Sequence, residues 1–200
     1  MIKSLSILFL FFFSFGFAQH KFDISAVQEF QKKMNNEYAN PKESPLRAED
    51  LAKFKSLDFF PINQKAFVIA KFVRTKKEKP FEMKTSTSRR PIYIKYGEIT
   101  FIMDGKELKL NVYQDIELSK KAAFKDDLFL PFSDLTSGKE SYIGGRYIDL
   151  IIPKGKTIAV DFNLAYNPYC AYNYKYSCPL VPLENDLDVE IKAGVKKFDH

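Results

Sequence analysis

The residues best suited to chemistry are concentrated in one polar, aromatic segment near the C-terminus, residues 161–185. It reads DFNLAYNPYCAYNYKYSCPLVPLEN and holds five tyrosines between Tyr166 and Tyr176. Tyrosine rings pack well against a sheet while their hydroxyls reach polar partners. Two interpretations therefore stay open. The segment either packs on a sheet, or its tyrosines line a pocket for a carbohydrate-like or other polar ligand with the neighbouring asparagines Asn163, Asn167 and Asn173.

The same segment carries the two cysteines of the chain, Cys170 and Cys178, separated by seven residues. In an oxidising compartment a disulfide is the default for such a pair. Closing so short a loop would stabilise the fold by about 2.5 kcal/mol in the chain-entropy model. A two-thiol metal site or a redox pair is the alternative, but zinc wants four ligands and only carboxylates such as Asp161 and Glu184 are at hand. We predict a disulfide, no metal and no cofactor.

A second group of polar residues lies in PFSDLTSG, residues 131–138, and YIGGRYID, residues 142–149. The side chains of Asp134 and Thr136 can form hydrogen bonds with the backbone of their own loop. Gly144 and Gly145 allow another backbone segment to approach closely. An ordered loop and bulge is the simpler interpretation. The more specific interpretation is an anion-binding site formed by Arg146 and the backbone amides of the loop. Asp149 follows Arg146 by three positions, so in a regular strand the two side chains face opposite sides.

The N-terminus has the three-part pattern of a secretory signal peptide. Lys3 is followed by an apolar run, Leu5–Phe17, and small residues precede a cut after Ala18. That run is shorter than the roughly 20 residues of a spanning helix. We therefore predict a signal peptide over residues 1–18, a single globular domain over 19–200, and a periplasmic or secreted protein without a membrane span.

Charge and histidine content argue against further function classes. The net charge is +6, a mild excess, and an exported protein rarely meets nucleic acid, so we expect no nucleic-acid partner. The only histidines are His20 and His200, near the ends of the mature chain. This argues against Ser-His-Asp hydrolysis, Cys-His proteolysis and histidine-rich zinc catalysis, and leaves lysine- or carboxylate-based chemistry.

Hydrophobic periodicity predicts the elements that position these residues. A capping box at Ser25–Gln28 opens a helix with an apolar stripe, and Asn40-Pro41 ends it. A shorter helix follows, with Leu46, Leu51 and Phe54 inward. Strand patterns begin near Phe67, and Asp104-Gly105 is a strong hairpin signal. Later strands are predicted at Arg146–Ile152, Thr157–Phe162 and Leu187–Lys192. The fold class is α+β, mainly an antiparallel β barrel or sandwich with one or two N-terminal helices.

Three sequence blocks resemble the family called domain of unknown function 1684. The first runs from Thr85 to Gly105, the second from Leu128 to Leu150, and the third from Asp161 to Asn185. The resemblance implies a domain that is often exported and has no agreed activity. The chain departs from the family pattern at Asp186, where a basic residue is usual, and at Val195, where the family has glutamate.

The leading hypothesis is a binding or scaffold module of the cell envelope that takes a small polar or anionic ligand where these segments converge. The alternatives are an envelope hydrolase using carboxylates, or a thiol-dependent metal or redox protein. The candidate ligand-binding residues are Asp134, Thr136, Arg146, Asp149, Asp161, Asn163, Tyr166, Asn167, Glu184 and Asn185.

Overall fold

The computed structural model describes residues 21–199. The signal peptide predicted over residues 1–18, its cleavage near Ala18 and both histidines lie outside this range. Within it, no helix combines the length and the apolarity needed to cross a bilayer.

The N-terminal helix α1 spans Ile24–Ala39. Its cap is Asp23, whose carboxylate accepts hydrogen bonds from the backbone N–H groups of Ser25 and Ala26. The helix therefore begins before the predicted capping box, because an aspartate satisfies free N–H groups and adds a favourable negative charge at the helix start. The predicted stop is confirmed, with Asn40 at the C-terminal cap. The predicted apolar stripe of α1 is confirmed, since Val27, Met34 and Tyr38 are buried.

Two single-turn helices follow, α2 at Ala48–Leu51 and α3 at Ile116–Ser119. Short 3₁₀ turns connect the other elements, at Gln64–Ala66, Ala122–Phe124, Phe162–Leu164, Tyr169–Ala171 and Leu183–Asn185.

The strands form one curled, mainly antiparallel sheet, which makes the fold α+β as predicted. Along the sheet the order is β6-β5-β4-β3-β1-β7, with β2 paired to β3 and β8 paired to β5 in parallel. The strands are Phe67–Arg74 (β1), Phe81–Glu82 (β2), Ile92–Met103 (β3), Lys106–Asp115 (β4), Asp127–Asp134 (β5), Arg146–Ile151 (β6), Thr157–Asp161 (β7) and Asp186–Leu187 (β8).

The longest hairpin, β3–β4, turns where the sequence predicted it. Asp104 and Gly105 both have positive φ, 49° and 77°, as a tight two-residue hairpin turn requires. One face of the sheet carries the main core, to which every strand of the ordered path contributes. Fully buried members of this core include Ala70, Ile99, Leu110, Leu130, Phe132, Ile148 and Val160.

The strand predicted at Leu187–Lys192 forms only in part. β8 ends at Leu187, although Leu187, Val189 and Ile191 are buried and the residues between them are exposed. Beyond β8 the chain is held to the sheet by isolated hydrogen bonds. The Leu135 N–H donates to the Val189 carbonyl, and the Ile191 N–H donates to the Asp134 carboxylate. The alternation is that of a strand, but a side chain replaces the next backbone partner.

Candidate functional site

A cavity of about 650 Å³ lies on the face of the sheet opposite the main core, between α1, the ends of β3 to β6, and the chain over residues 166–179. The helix supplies one wall through Lys33, Glu37 and Tyr38. The 166–179 segment, which holds most of the predicted chemistry, supplies the opposite wall. The sheet side is lined by Tyr93, Asp115, Asp127, Phe129, Tyr147 and Asp149.

Strand register explains why polar residues of β5 and β6 reach this cavity. Asp149 lies opposite Phe129, and Tyr147 lies opposite Pro131. Because side chains alternate along a strand, Asp127 and Phe129 share a face with Tyr147 and Asp149. Asp127 and Asp149 are diagonal neighbours on that face, a relationship that places side chains roughly 7–8 Å apart. The opposite face goes to the core, through Leu128, Leu130, Ile148 and Leu150.

Asp149 and Tyr166 form the main polar contact of the cavity. The Tyr166 hydroxyl lies 2.9 and 3.0 Å from the two carboxylate oxygens and donates to them. The Asp149 side chain is open to the cavity, yet protein atoms surround it on most sides. Burial raises the pKa of Asp149, the Tyr166 hydrogen bond lowers it, and the nearby Asp127 carboxylate raises it again, with a net increase.

The pKa of Tyr166 is also raised, first by burial and then by the charge of Asp149. The phenol therefore stays protonated and remains a hydrogen-bond donor throughout the physiological range. A backbone pairing fixes its position, because Tyr166 and Tyr147 exchange N–H and carbonyl hydrogen bonds at 2.9 and 3.0 Å. The Tyr166 side chain is thus held beside Asp149 by the main-chain hydrogen bonds to Tyr147 as well as by its own hydrogen bond to the carboxylate.

Two other carboxylates on the cavity wall have defined local roles. Asp115 caps α3 by accepting a hydrogen bond from the Leu118 N–H at 2.9 Å. Glu37 accepts a hydrogen bond from the Tyr169 hydroxyl at 2.7 Å, which joins α1 to the opposite wall. Each contact leaves carboxylate lone pairs free, since a carboxylate offers about four acceptor positions.

Aromatic rings line both sides of the cavity in continuous chains. On the sheet side, Phe129 lies 5.7 Å from Tyr93 and 4.7 Å from Tyr147 between ring centroids. On the other side, Tyr169 lies 6.3 Å from Tyr38 and 5.2 Å from Tyr176. Centroid separations of this size are those of favourable edge-to-face or tilted pairs.

Cys170 and Cys178 are free thiols in this structure, so the predicted disulfide is not formed in it. The two residues are nevertheless adjacent, because the Cys170 N–H donates to the Cys178 Sγ at 3.2 Å. Hydrogen bonding from Cys178 lowers the pKa of Cys170 to about 6, against an opposing effect of burial, with further lowering from Tyr142 and Ser86. The same contact raises the pKa of Cys178, which lines the cavity.

The predicted anion site at Arg146 is wrong, because its guanidinium is used inside the protein. Arg146 is 0% exposed and lies 2.7 Å from the Asp134 carboxylate. It also donates to the carbonyls of Ile191, Ala193 and Val195. Burial lowers the pKa of Arg146 while Asp134 raises it. This buried ion pair fastens the C-terminal strand-like segment to the sheet.

Several other predicted site residues form hydrogen bonds within the protein. Asn185 clamps two strands, accepting from the Asn111 N–H and donating to the Asn111 and Pro131 carbonyls. Thr136 is buried against the Ser141 hydroxyl, 2.8 Å away. Asn167 donates to the Lys196 carbonyl at 2.8 Å. These amides and hydroxyls hold loops in place and have no position on the cavity wall.

The remaining predicted residues lie away from the cavity. Asp161 caps the turn at Phe162–Leu164 by accepting two hydrogen bonds from Asn163. Asn163 in turn pairs with the backbone of Asn63. Glu184 lines a separate, open depression beside Lys77 and Lys79. Of the ten candidate residues, the structure therefore brings Asp149 and Tyr166 together in the cavity and distributes the other eight outside it.

Sequence reasoning missed the cavity residues outside the tyrosine-rich segment, including Glu37, Tyr93, Asp115 and Asp127. The sequence could have predicted that Asp127 faces away from the core, since it begins a strand whose alternate residues face outwards. Glu37 carried none, because the side of α1 that meets the sheet depends on the tertiary fold. Among the described residues, no group of three or more histidine, cysteine or acidic side chains is arranged to hold a metal ion.

Comparison with known proteins identifies relatives but no activity. A family model described as a protein of unknown function, DUF1684, matches residues 52–196. A solution NMR structure of an uncharacterised protein from Haloarcula marismortui is 30% identical, with a TM-score of 0.67. The match covers 86% of this chain and 92% of that one. No curated protein matches the sequence.

Proposed function

We propose that this chain, which belongs to the DUF1684 family of proteins of unknown function, is a binding module for a small organic molecule. The observation that carries the proposal is the cavity that contains the Asp149–Tyr166 pair. Its volume of about 650 Å³ falls in the range of small-molecule sites. Its walls combine aromatic rings with a few convergent polar groups, the usual composition of such sites.

The distribution of shifted pKa values supports the same location. Asp149, Tyr166 and Cys178 all line the cavity, and the pKa of each is raised, in the first two cases chiefly by burial. Groups whose pKa values are perturbed beside a cavity are concentrated at functional sites. Asp149 and Tyr166, the two candidate ligand-binding residues that line the cavity, are thus the centre of the proposed site.

We propose further that the module acts outside the cytoplasm, after removal of residues 1–18. The support is the N-terminal sequence, with its charged start, apolar run and small residues before Gln19. The test is the intact mass of protein expressed from the full-length gene in a bacterial host and recovered from periplasm and medium. A mass beginning at Gln19 supports export, whereas uncleaved protein in the cytosol contradicts it.

Binding can be tested by filling the cavity with a larger side chain. Leu118 lines the cavity and is 37% exposed, so Leu118→Trp narrows it without disturbing the main core. Leu183 is 90% exposed and does not line the cavity, so Leu183→Trp is the matched control. Native mass spectrometry and a thermal-shift screen of small metabolites would be run on the natural protein and both variants.

We expect at least one compound to raise the melting temperature of the natural protein and of Leu183→Trp. The same compound should have little effect on Leu118→Trp, because the added ring occupies the ligand's volume. If stabilising compounds act equally on both variants, or if a broad screen yields none, the cavity is not a binding site.

A carboxylate-based hydrolase is the second candidate function. The specific observation is that Asp127 and Asp149 share one face of neighbouring strands, while the pKa of Asp149 is raised. Paired carboxylates with separated pKa values can divide acid and base roles. Chromogenic glycosides and esters would be assayed with the natural protein, Asp127→Asn and Asp149→Asn. Turnover that both substitutions abolish would establish an enzyme, and absence of turnover would leave the binding role.

A further inference from the structure

We infer that the ligand of the cavity is a small organic cation, an amine or quaternary ammonium compound. This inference deepens the proposed function and rests on it. The chain as a whole is basic, with a net charge of +6, yet the cavity lining has the opposite balance. Four carboxylates line it against a single ammonium group, Lys33. The four are Glu37, Asp115, Asp127 and Asp149.

None of these four carboxylates forms an ion pair with a lysine or arginine among residues 21–199, although surface acids elsewhere in the chain do so. The Asp127 side chain has no hydrogen bond of its own in the described part of the chain, while it raises the pKa of Asp149. Charges of one sign lining a low-dielectric cleft attract and concentrate ions of the opposite sign. Uncompensated negative charge on this wall favours a cationic occupant.

The neighbouring cations lie towards solvent. Lys33 is an exposed residue of α1. Arg89, also exposed, bonds to the carbonyl and hydroxyl of Ser177 and acts electrostatically on Tyr93 and Cys178. Lys175 is exposed, and its ammonium lies 5.0 Å from the ring centroid of Tyr176. These groups stand around the site without pairing with its carboxylates.

The aromatic lining provides the second property that organic cations require. The face of a tyrosine ring carries negative charge density and attracts a cation within about 6 Å of its centroid. Rings occur on both sides of the cavity, including Tyr93 and Tyr147 on the sheet and Tyr169 and Tyr176 opposite. Combinations of aromatic faces with carboxylates are the usual recognition device for quaternary ammonium groups.

One tyrosine of the cavity wall keeps its hydroxyl away from the cavity. Tyr38 is 2% exposed and lines the cavity, and its hydroxyl has no hydrogen-bond partner among residues 21–199. Burial, and then the Tyr172 hydroxyl beside it, raise the pKa of Tyr38. The Tyr38 hydroxyl oxygen is itself shielded from solvent, so Tyr38 offers a ligand its ring and not its hydroxyl.

The same features argue against other ligand classes. An anionic ligand, which the sequence analysis had allowed, would meet four like charges. A metal ion would need three or more close donors, and the described residues offer no such group. A wholly apolar ligand would bury carboxylates without compensation, which is costly. An organic cation alone uses both the carboxylates and the rings.

The test compares three probes of nearly the same shape and different charge. Choline is cationic, 3,3-dimethyl-1-butanol is its neutral counterpart, and 3,3-dimethylbutanoate is anionic. Isothermal titration would be performed on the full mature chain, on Asp127→Asn, on Asp149→Asn and on Leu118→Trp. Glu107→Gln is the control, because it removes one exposed negative charge from β4 away from the cavity.

We expect choline to bind at least about tenfold more tightly than the neutral probe, and the anion not to bind. Asp127→Asn and Asp149→Asn should each weaken choline binding by about tenfold, while Glu107→Gln leaves it unchanged. Affinity should also fall as salt is added.

The possible failures are distinguishable. If the neutral or anionic probe binds as well as choline and Leu118→Trp abolishes that binding, the cavity is a site but the cationic class is wrong. Failure of choline to bind also overturns the inference, while the metabolite screen still decides the proposed function. If choline binds Leu118→Trp and both aspartate variants unchanged, it binds elsewhere, and neither the inference nor the assigned site survives.

Discussion

The guanidinium of Arg146 lies 2.7 Å from the carboxylate of Asp134, and both side chains are completely shielded from solvent. The rings of Phe60 and Phe132 lie 5.7 and 5.3 Å from the guanidinium carbon. Residues from β5 and β6 thus meet the C-terminal chain around one buried charge pair. Such a pair is costly to form and more costly to break, because the remaining charge has nowhere to find solvent.

We therefore predict that Arg146→Leu lowers the free energy of unfolding by about 3–5 kcal/mol, measured by urea denaturation with far-UV circular dichroism. The double variant Arg146→Leu with Asp134→Leu should lose less than the single variant, since no unpaired charge remains. Lys106→Met, which removes an exposed ion pair with Asp188, is the control and should change stability by less than about 1 kcal/mol. A small loss for Arg146→Leu alone would contradict a structural role.

The raised pKa of Asp149 predicts a pH dependence of stability with a definite sign. The folded chain holds this proton more tightly than the unfolded chain does. The resulting stabilisation is complete below the ordinary value of 3.8 and is lost as pH rises through the folded-state pKa. The free energy of unfolding of Asp149→Asn, relative to the natural protein, should therefore increase from about pH 4 to pH 7.

Glu98 provides a control of opposite sign. Hydrogen bonding to Lys109 lowers the pKa of Glu98, so its stabilisation is present above the ordinary value of 4.5 and is lost as pH falls. Relative to the natural protein, Glu98→Gln should accordingly lose stability as pH rises towards 4.5 and change little above that value. Urea denaturation at several pH values measures both differences. Parallel curves for the two variants would show that the Asp149 shift is absent.

The thiol pair predicts an asymmetric reactivity in the reduced protein. Cys170, with a pKa near 6, should react with iodoacetamide at pH 7, whereas Cys178 should not. Cys178→Ala removes the hydrogen bond that contributes most to the lowered pKa, so the pH at which Cys170 reacts should move upwards. Peptide mass spectrometry after timed alkylation measures this. Equal labelling of both thiols would contradict the assignment.

The disulfide remains a prediction for the oxidised protein. Oxidised glutathione should convert the pair to a disulfide, with the two thiols losing two hydrogens and each oxidant yielding two glutathione thiols. The intact mass should fall by the mass of those two hydrogens, and stability should increase by about 2.5 kcal/mol. Stable mixed disulfides with glutathione, in place of the internal bond, would argue against it.

Gly145 is predicted to resist substitution for reasons of backbone geometry. Its φ is 81°, and an added Cβ would lie 2.5 Å from the Phe132 carbonyl oxygen. Gly145→Ala should therefore cost more than about 1 kcal/mol in the free energy of unfolding. Gly155→Ala is the matched control, because nothing lies within 4 Å of its added Cβ. Thermal unfolding of the two variants compares them, and equal melting temperatures would show that Gly145 is not constrained.

Local patterns predicted the elements, since they depend on neighbours in sequence. The stripe of α1, the turn at Asp104-Gly105 and the polar–apolar alternation after Leu187 were all visible. The roles of side chains were not, because they depend on contacts far apart in sequence. From the sequence, Arg146 could have bound a ligand. In the structure its guanidinium is occupied by Asp134 and by the carbonyls of Ile191, Ala193 and Val195. The position of Asp149 in the cavity depends on the register between β5 and β6, which the sequence does not reveal.

The cavity is assembled from residues inside and outside the range that the family model matches. Its carboxylate floor lies within residues 52–196, the range shared with DUF1684, while the wall bearing Lys33 and Glu37 belongs to α1, which ends at Ala39. A change in the sequence of α1 would therefore alter one wall of the cavity and leave the matched strands beneath it as they are.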